Sequence, residues 1–247
     1  MDTMARNPRP AFTDVEVRRL REIDTWIFDL DNTLYPRHTD LFAQIDERIG
    51  IYVSRLLDLD ADAARAMQKD YYRRYGTTLR GLMLEHAISP DEFLEFVHDI
   101  DHSPVEPDPH LAAAIERLPG RRFIFTNGSR PHAEKVAARL GITDHFEDIF
   151  DIVRAELLPK PEEATYRRFF AETGARPETS IMFEDLARNL VVPRAFGMAT
   201  VLVVPSGIGR VVTETWELEG HDGEHIDHVT DHLGDFLHDV VGILADV

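Results

Sequence analysis

The stretch Trp26-Ile27-Phe28-Asp29-Leu30-Asp31-Asn32-Thr33-Leu34-Tyr35 decides how this chain is read. An apolar run stops at two aspartates one residue apart. Trp26, Ile27 and Phe28 are bulky and β-prone, which predicts a short buried strand. Side chains alternate along a strand, so Asp29 and Asp31 share a side, with Leu30 opposite. Open α/β sheets hold their ligands outside the carboxyl ends of the strands, where this pair falls. Two carboxylates that close repel, and one proton or one cation must relieve the conflict. An Asp/Asn-rich turn after a strand is also a common structural device. The rest of the chain therefore has to supply the argument for chemistry.

Downstream of Tyr35-Pro36 the pattern becomes helical as far as about residue 101. Leu41, Phe42, Ile45 and Ile49 keep helical spacing. Residues 61–75 are rich in good helix formers and are followed by Gly76, a natural stop. Residues 78–86 and 90–98 read as two further helices, the second opened by Ser89-Pro90-Asp91-Glu92. The stretch Ser103-Pro104-Val105-Glu106-Pro107-Asp108-Pro109 is stiff and reads as a hinge or return linker.

From residue 111, helices alternate with strands expected at 122–127, 149–153, 181–183 and 198–204. Such alternation implies a parallel sheet with helices on both faces. The expected class is thus α/β: a Rossmann-like parallel core plus an inserted all-helical cap. The expected boundaries are 14–38 and 104–247 for the core, 39–103 for the cap and 1–13 for a flexible lead-in.

The bulk numbers narrow the partners. The 247 residues carry 45 acids against 27 bases, a formal charge of −18. That disfavours nucleic-acid strands and anionic membranes, though local positive charge still allows a small-molecule phosphate. The chain has no cysteine, hence no disulfide, thiolate metal site or Cys nucleophile, which suits a reducing compartment. The first ten residues lack the apolar segment of a secretory signal. The longest apolar stretch, 195–204, falls far short of the roughly 20 residues that span a bilayer. A soluble cytoplasmic protein is expected.

Three more motifs follow the first. Phe125-Thr126-Asn127-Gly128 ends a strand in a hydroxyl at a Gly turn, where Thr126, Asn127 and nearby N–H groups can hold phosphate oxygens. Ser129 is placed to cap the next helix. Lys160-Pro161 puts a point charge at the start of the following helix, able to neutralise phosphate and aspartate together. Phe183-Glu184-Asp185-x-x-Arg188-Asn189 again ends an apolar strand in acids. With Asp29 and the backbone carbonyl of Asp31, Glu184 and Asp185 could form the all-oxygen site that Mg²⁺ prefers.

In this order, over residues 29–189, the four motifs resemble those of the haloacid-dehalogenase-like (HAD) phosphatases. Within that superfamily the chain looks most like the pyrimidine 5′-nucleotidase group. That likeness includes Tyr71-Tyr72-x-x-Tyr75-Gly76-x-x-Leu79-Arg80-Gly81 and His98-Asp99-Ile100-Asp101 with Glu106-Pro107-Asp108. One departure is Glu184-Asp185 where the family pattern carries Asp-Asp; Glu is longer by a methylene.

The resemblance implies a Mg²⁺-dependent, two-step phosphoryl transfer from a small phosphate monoester. Asp29 would attack phosphorus to give an aspartyl-phosphate. Asp31 would protonate the leaving group and later activate water. Asp29, Asp31, Glu184 and Asp185 would hold the metal, and Thr126, Asn127, Gly128 and Lys160 the phosphate. Dehalogenases need no acid two residues after the nucleophile, so the carboxylate at 31 favours phosphate esters. The implied substrates are nucleoside 5′-monophosphates, with Tyr75 and Arg80 expected against the nucleoside. The alternative is a small sugar phosphate or phosphoglycolate.

The acidic C-terminal stretch holds His221, His225, His228 and His232, spaced four, three and four apart. A metal site is one reading. A solvated, partly helical surface is favoured, with Ile226, Val229, Leu233 and Leu237 as its inner face, because no known ligand pattern supports the metal.

Overall fold

The computed structural model describes residues 12–205 and 220–245. Six strands form one parallel sheet in the order β3-β2-β1-β4-β5-β6: β1 (Thr25–Phe28), β2 (Arg121–Phe125), β3 (Asp148–Phe150), β4 (Ser180–Glu184), β5 (Ala199–Val203) and β6 (His228–Thr230). The expected α/β class and parallel sheet are what the chain adopts. β1 lies between β2 and β4, with Phe28 level with Ile124 and Phe183. Chain order reverses between β1 and β4, and such a switch point opens a crevice at the strands' carboxyl ends.

β1 explains its own burial by alternation. Trp26 and Phe28 join one core with α1 (Asp14–Arg21), α6 (Pro109–Glu116), α7 (Arg130–Leu140) and α10 (Leu233–Ala245). Ile27 joins Phe123, Phe125, Phe150, Met182 and Leu202 on the other face, under α8 (Glu163–Thr173) and α9 (Val191–Ala195). Phe28 stacks on Phe183 across the central pair of strands, with ring centres 4.6 Å apart. Both faces of the sheet are covered, as a parallel sheet requires.

Between β1 and α6 lie α2 (Leu41–Leu57), α3 (Ala61–Tyr75), α4 (Thr78–His86) and α5 (Pro90–Val97), with no strand among them. They bury their own cluster, including Ile45, Val53, Tyr71, Leu82 and Phe93, to which the sheet side contributes Ile152. Ser89 accepts from the Glu92 N–H and Pro90 opens α5, as the sequence signal predicts. Gly76 ends α3 at φ 84°, a backbone that suits only glycine. At Gly81 any Cβ would lie 2.6 Å from Tyr71, so α3 and α4 meet at closest approach there.

Some expectations need correction. Of the lead-in only Phe12 and Thr13 are described; Phe12 packs edge-on to His228 and Phe236, and Thr13 forms a capping box with Glu16. Residues 1–11 and 206–219 lie outside the described residues. The histidine stretch does not run as one helix. His228–Thr230 is an edge strand with Val229 exposed, and the helix begins only at Leu233, where Leu233 and Leu237 are buried as expected. Strand pairing with β5 outweighs the helical spacing. Among the described residues these histidines form no metal cluster; His225 instead meets the Ala187 carbonyl at 2.9 Å.

Candidate active site

The crevice is a cavity lined from below by Asp29, Asp31, Thr126, Asn127, Gly128, Lys160, Glu184 and Asp185. The four motifs converge there although more than 150 residues separate the first from the last. Asp29 continues β1, its N–H bonded to the Phe183 carbonyl at 2.9 Å. Asn32, at φ 59°, turns the chain, and Leu34 N–H closes back on Leu30 O at 3.0 Å. Leu30 is buried in the core while Asp29 and Asp31 both face the cavity, the sidedness expected of alternation.

Lys160 is buried at the centre of the acids. Its Nζ donates to Asp29 Oδ1 at 2.6 Å, Glu184 Oε1 at 2.7 Å and the Phe125 carbonyl at 2.8 Å. An ammonium has three hydrogens, and all three are used. Burial alone would lower its pKa, but Asp29 and Glu184 outweigh that and hold it above the usual lysine range. Asn127 grips the same residue from the backbone: its Oδ1 accepts from Lys160 N–H at 2.8 Å. The helix expected at residue 161 starts at Glu163, so Lys160 sits on the approach to it.

Glu184 is committed on both oxygens. Oε1 also accepts from Asn189 Nδ2 at 2.7 Å, and Oε2 from Leu186 N–H at 3.0 Å. Asp185 turns its Oδ2 toward Asn32 Nδ2 at 3.3 Å and Arg37 at 3.4 Å. Oxygens of Asp29, Glu184 and Asp185 lie within 4.8 Å of one another. Burial pushes the Asp29 carboxyl up to about 7; Lys160 opposes this, while Glu184 and Asp31 add to it. Burial, then Glu184 and Asp29, raise Asp185 well above the usual range. Three carboxylates against Lys160 and Arg37 leave surplus negative charge in an oxygen-lined site. That donor set fits a hard divalent cation.

Asp31 has the opposite surroundings. Its Oδ1 accepts from the Tyr35 hydroxyl at 2.6 Å and His132 Nε2 at 2.9 Å. Burial works to raise it, but His132 and Tyr35 prevail and keep the carboxyl below the usual range. Thr126 Oγ1 accepts from Gly128 N–H at 2.9 Å, which shapes the turn and leaves the hydroxyl hydrogen free to donate. Ser129 stands at the helix start but does not cap it; its hydroxyl meets His98 Nδ1 at 3.0 Å.

The roof of the cavity is helical. Phe42, Ile45, Ile49, Gln68, Lys69, Tyr72, Thr77 and Leu79 line it. Arg188 from the core lies over the Tyr72 ring, 4.3 Å from its centre. Tyr75 and Arg80, expected here, are absent from the lining. The Tyr75 hydroxyl bonds to Glu85 and Arg74 on the outside of the helices. Arg80 pairs with Glu162 at 2.5 Å, tying α4 to the core. Tyr72, about 100° further round α3 than Tyr71, takes the inward place. Sequence reading also missed His132 and Arg37, and gave no role to Tyr35 and Asn189, which lie within the motifs it quoted. Position was the available signal for His132: it lies on the first turn of α7, just past the Gly turn.

A parallel sheet with paired carboxylates at its switch point, a buried lysine and a helical insert defines a class of phosphate- and halide-handling hydrolases. A profile of haloacid dehalogenase-like hydrolases matches residues 23–197, and the chain belongs to that family. It is 26% identical over 195 residues to phosphate metabolism protein 8 of Saccharomyces cerevisiae, covering 72% of this chain and 60% of that protein. The chain thus spans about three fifths of that relative's length. Among solved structures, a HAD phosphatase from Thermococcus onnurineus matches at TM-score 0.59 and 17% identity, covering 89% of this chain and 98% of that one. L-2-haloacid dehalogenase from Xanthobacter autotrophicus matches at 0.55 and 18%, covering 89% and 99%. These two likenesses concern the fold. Among the described residues, no helix is long and apolar enough to cross a membrane.

Proposed function

We propose that the chain is a Mg²⁺-dependent phosphatase acting on nucleoside 5′-monophosphates, pyrimidine nucleotides foremost. The observation that carries the phosphatase reading is Asp31: a second carboxylate beside Asp29, its side chain 16% exposed and facing the same cavity. An alkoxide leaving group is strongly basic and needs a proton as it departs. Asp29 attacks phosphorus, the P–O bond to the leaving group breaks, and the alkoxide takes a proton from Asp31. The arriving phosphate's negative charge raises Asp31's proton affinity, so Asp31 takes up its proton as substrate binds. In the second step Asp31 takes a proton from water, which attacks the aspartyl-phosphate and frees Asp29.

Asp29, Asp185, the Asp31 carbonyl and, within reach, Glu184 would hold the metal, which supplies positive charge against carboxylate–phosphate repulsion. Thr126, Asn127 and Gly128 hold the phosphate, and Lys160 faces it with its positive charge, giving up one of its three present hydrogen bonds where it donates to a phosphate oxygen. Residues 39–103 act as a cap over the core of 14–38 and 104–247, and Tyr72, Gln68 and Lys69 in its roof face the nucleoside. A planar base suits the Tyr72 ring; the Gln68 amide nitrogen is taken by Asp46 at 2.7 Å, which leaves its oxygen to accept. The missing cysteines and strong negative charge suit a cytoplasmic enzyme of small molecules. The test is phosphate release across nucleotides, sugar phosphates and phosphoglycolate, with Mg²⁺ and with EDTA. Pyrimidine 5′-monophosphates should lead, and EDTA should stop all release. A preference for sugar phosphates or phosphoglycolate would overturn the nucleotidase reading while leaving the phosphatase one.

A further inference from the structure

Three histidines meet beside Asp31, and the mechanism above uses none of them. His132, fully buried on the first turn of α7, reaches Asp31 Oδ1 with Nε2 at 2.9 Å. Its Nδ1 meets His102 Nε2 at 3.1 Å, and His102 Nδ1 faces the Ile100 carbonyl at 3.1 Å. His98 stacks on His132, ring centres 4.6 Å apart and planes 17° from parallel. His98 is itself pinned by the Leu94 carbonyl at 2.9 Å and Ser129 Oγ at 3.0 Å.

The ends of this chain set its direction. The Ile100 carbonyl can only accept, and the carboxylate of Asp31 accepts as well. The two outer nitrogens must therefore donate, which makes His132 an Nε2–H donor toward Asp31; the inner contact of His132 Nδ1 with His102 Nε2 is then a hydrogen bond when one of the two rings carries a second proton, an imidazolium donating to an imidazole. The two oxygens of Asp31 then differ. Oδ1 takes both the Tyr35 and the His132 hydrogen bonds. Oδ2 looks toward the Gly128 turn: a Cβ built there would lie 3.6 Å from it and 3.2 Å from Thr126 Oγ1. An oxygen that already accepts two hydrogen bonds is the poorer place for a proton. Rotation of the carboxyl group about its own bond is also opposed, since turning it would break two hydrogen bonds to the buried donors Tyr35 and His132.

We propose that His132, held by His102 and stacked on His98, is a positioning residue that presents Asp31 Oδ2 to the leaving-group oxygen. The inference rests on the phosphatase reading and on Asp31 as its acid. It explains why imidazoles, which are costly to bury unpaired, are packed here in a row. It also gives residues 98–102, which lie between α5 and the proline-rich linker, a hold on the acid through His132. His98 and His102 come from the cap side of the linker and His132 from the core. The support of His132 is therefore complete only when the two are together.

The experiment compares kcat/KM for an alkyl ester, uridine 5′-monophosphate, with that for an aryl ester, p-nitrophenyl phosphate. This ratio reports the step in which the leaving group departs, and only the alkyl group needs the proton. His132→Leu is expected to lose about 10²-fold on the alkyl ester and less than about tenfold on the aryl one. His132→Gln, whose amide nitrogen can take the place of Nε2, is expected to recover at least about tenfold of the alkyl loss. His102→Phe keeps ring volume but frees His132, and should lose about 5- to 10-fold, again selectively on the alkyl ester. Far-UV circular dichroism and melting temperature accompany each variant. If His132→Leu fails to fold, the Gln and His102 variants carry the same test. Equal losses on both esters, no loss, or no recovery with Gln would overturn the positioning role. Wild-type protein that hydrolyses neither ester would instead bring down the phosphatase reading, and this inference with it.

Discussion

Two lysines face the same cavity under different conditions. Lys160, at the base, is 1% exposed and spends its three hydrogens on Asp29, Glu184 and a main-chain carbonyl. Lys69, in the roof, reaches Asp46 at 3.0 Å with its side chain 17% exposed, among Phe42, Ile45 and Tyr72. The base is a lattice of buried charges in which each member is fixed by others. The roof is mostly apolar, with a few polar groups at its rim. Buried charge held in place is what stabilises charge during a reaction. A looser apolar wall with scattered polar groups is what selects a leaving group. On the proposed function, chemistry and selection have separate addresses, and substitutions in the two places should fail differently.

Asp29→Asn should fail most completely, with kcat falling about 10⁴-fold or more while the protein stays folded. Its melting temperature sharpens the point. Asp29 is held near pKa about 7, above the roughly 4 of an unfolded aspartate. The native state therefore binds the extra proton between those values, and stability is lost as pH rises from about 4 through 7. The Asn variant lacks that loss. In EDTA it should melt at or above wild type at pH 8, with the advantage gone below about pH 4. Near-native turnover would remove Asp29 from the mechanism.

Asp31→Asn should cost about 10²- to 10⁴-fold on nucleotides and clearly less on p-nitrophenyl phosphate, read as kcat/KM. Uniform loss would make Asp31 part of the scaffold rather than an acid.

Next come the two acids after β4, which the geometry separates. Glu184→Ala leaves Lys160 and Asn189 short of a partner and should cost about 3–5 kcal/mol in urea unfolding. Asp185→Ala should leave stability in EDTA unchanged or higher, yet raise the Mg²⁺ concentration for half activity about 10- to 100-fold. A swap of these phenotypes would show the metal resting on Glu184.

The smallest effects belong to the roof. Tyr72→Ala should raise KM for nucleotides up to about tenfold with kcat little changed. Arg80→Ala, outside the lining, should move KM less than about threefold. A larger KM effect at Arg80 than at Tyr72 would return the nucleoside to the outer face of α3 and α4.

The base was readable in the sequence and the roof was not. Asp29, Asp31, Lys160 and Glu184-Asp185 each stand where a short apolar strand or a helix approach ends, and strand ends in an open sheet converge by topology alone. The cap helices were equally visible as helices, since capping signals such as Ser89-Pro90 are local. Which of Tyr71, Tyr72 and Tyr75 turns inward depends on how α3 lies against α4 and the core. One residue of rotation moves a ring by 100°, and no local signal fixes it. His132 escaped for a related reason: its partners, Asp31 and His102, are distant in sequence. The strand at His228 was missed because its apolar spacing also fits a helix and pairing with β5 decided it.

The contact between Arg80 and Glu162 has a consequence for kinetics. It joins the helical insert to the core through side chains that are 26% and 48% exposed, within reach of dissolved ions. An exposed pair of this kind contributes at most about 1 kcal/mol and weakens as the Debye length shrinks. The ion pairs around Lys160 are shut away from that screening. In the proposed cycle, ionic strength should therefore act as a dial on one half alone. Added salt should hasten the parting of insert and core, and with it the escape of product, while leaving bond cleavage beneath them at its own pace.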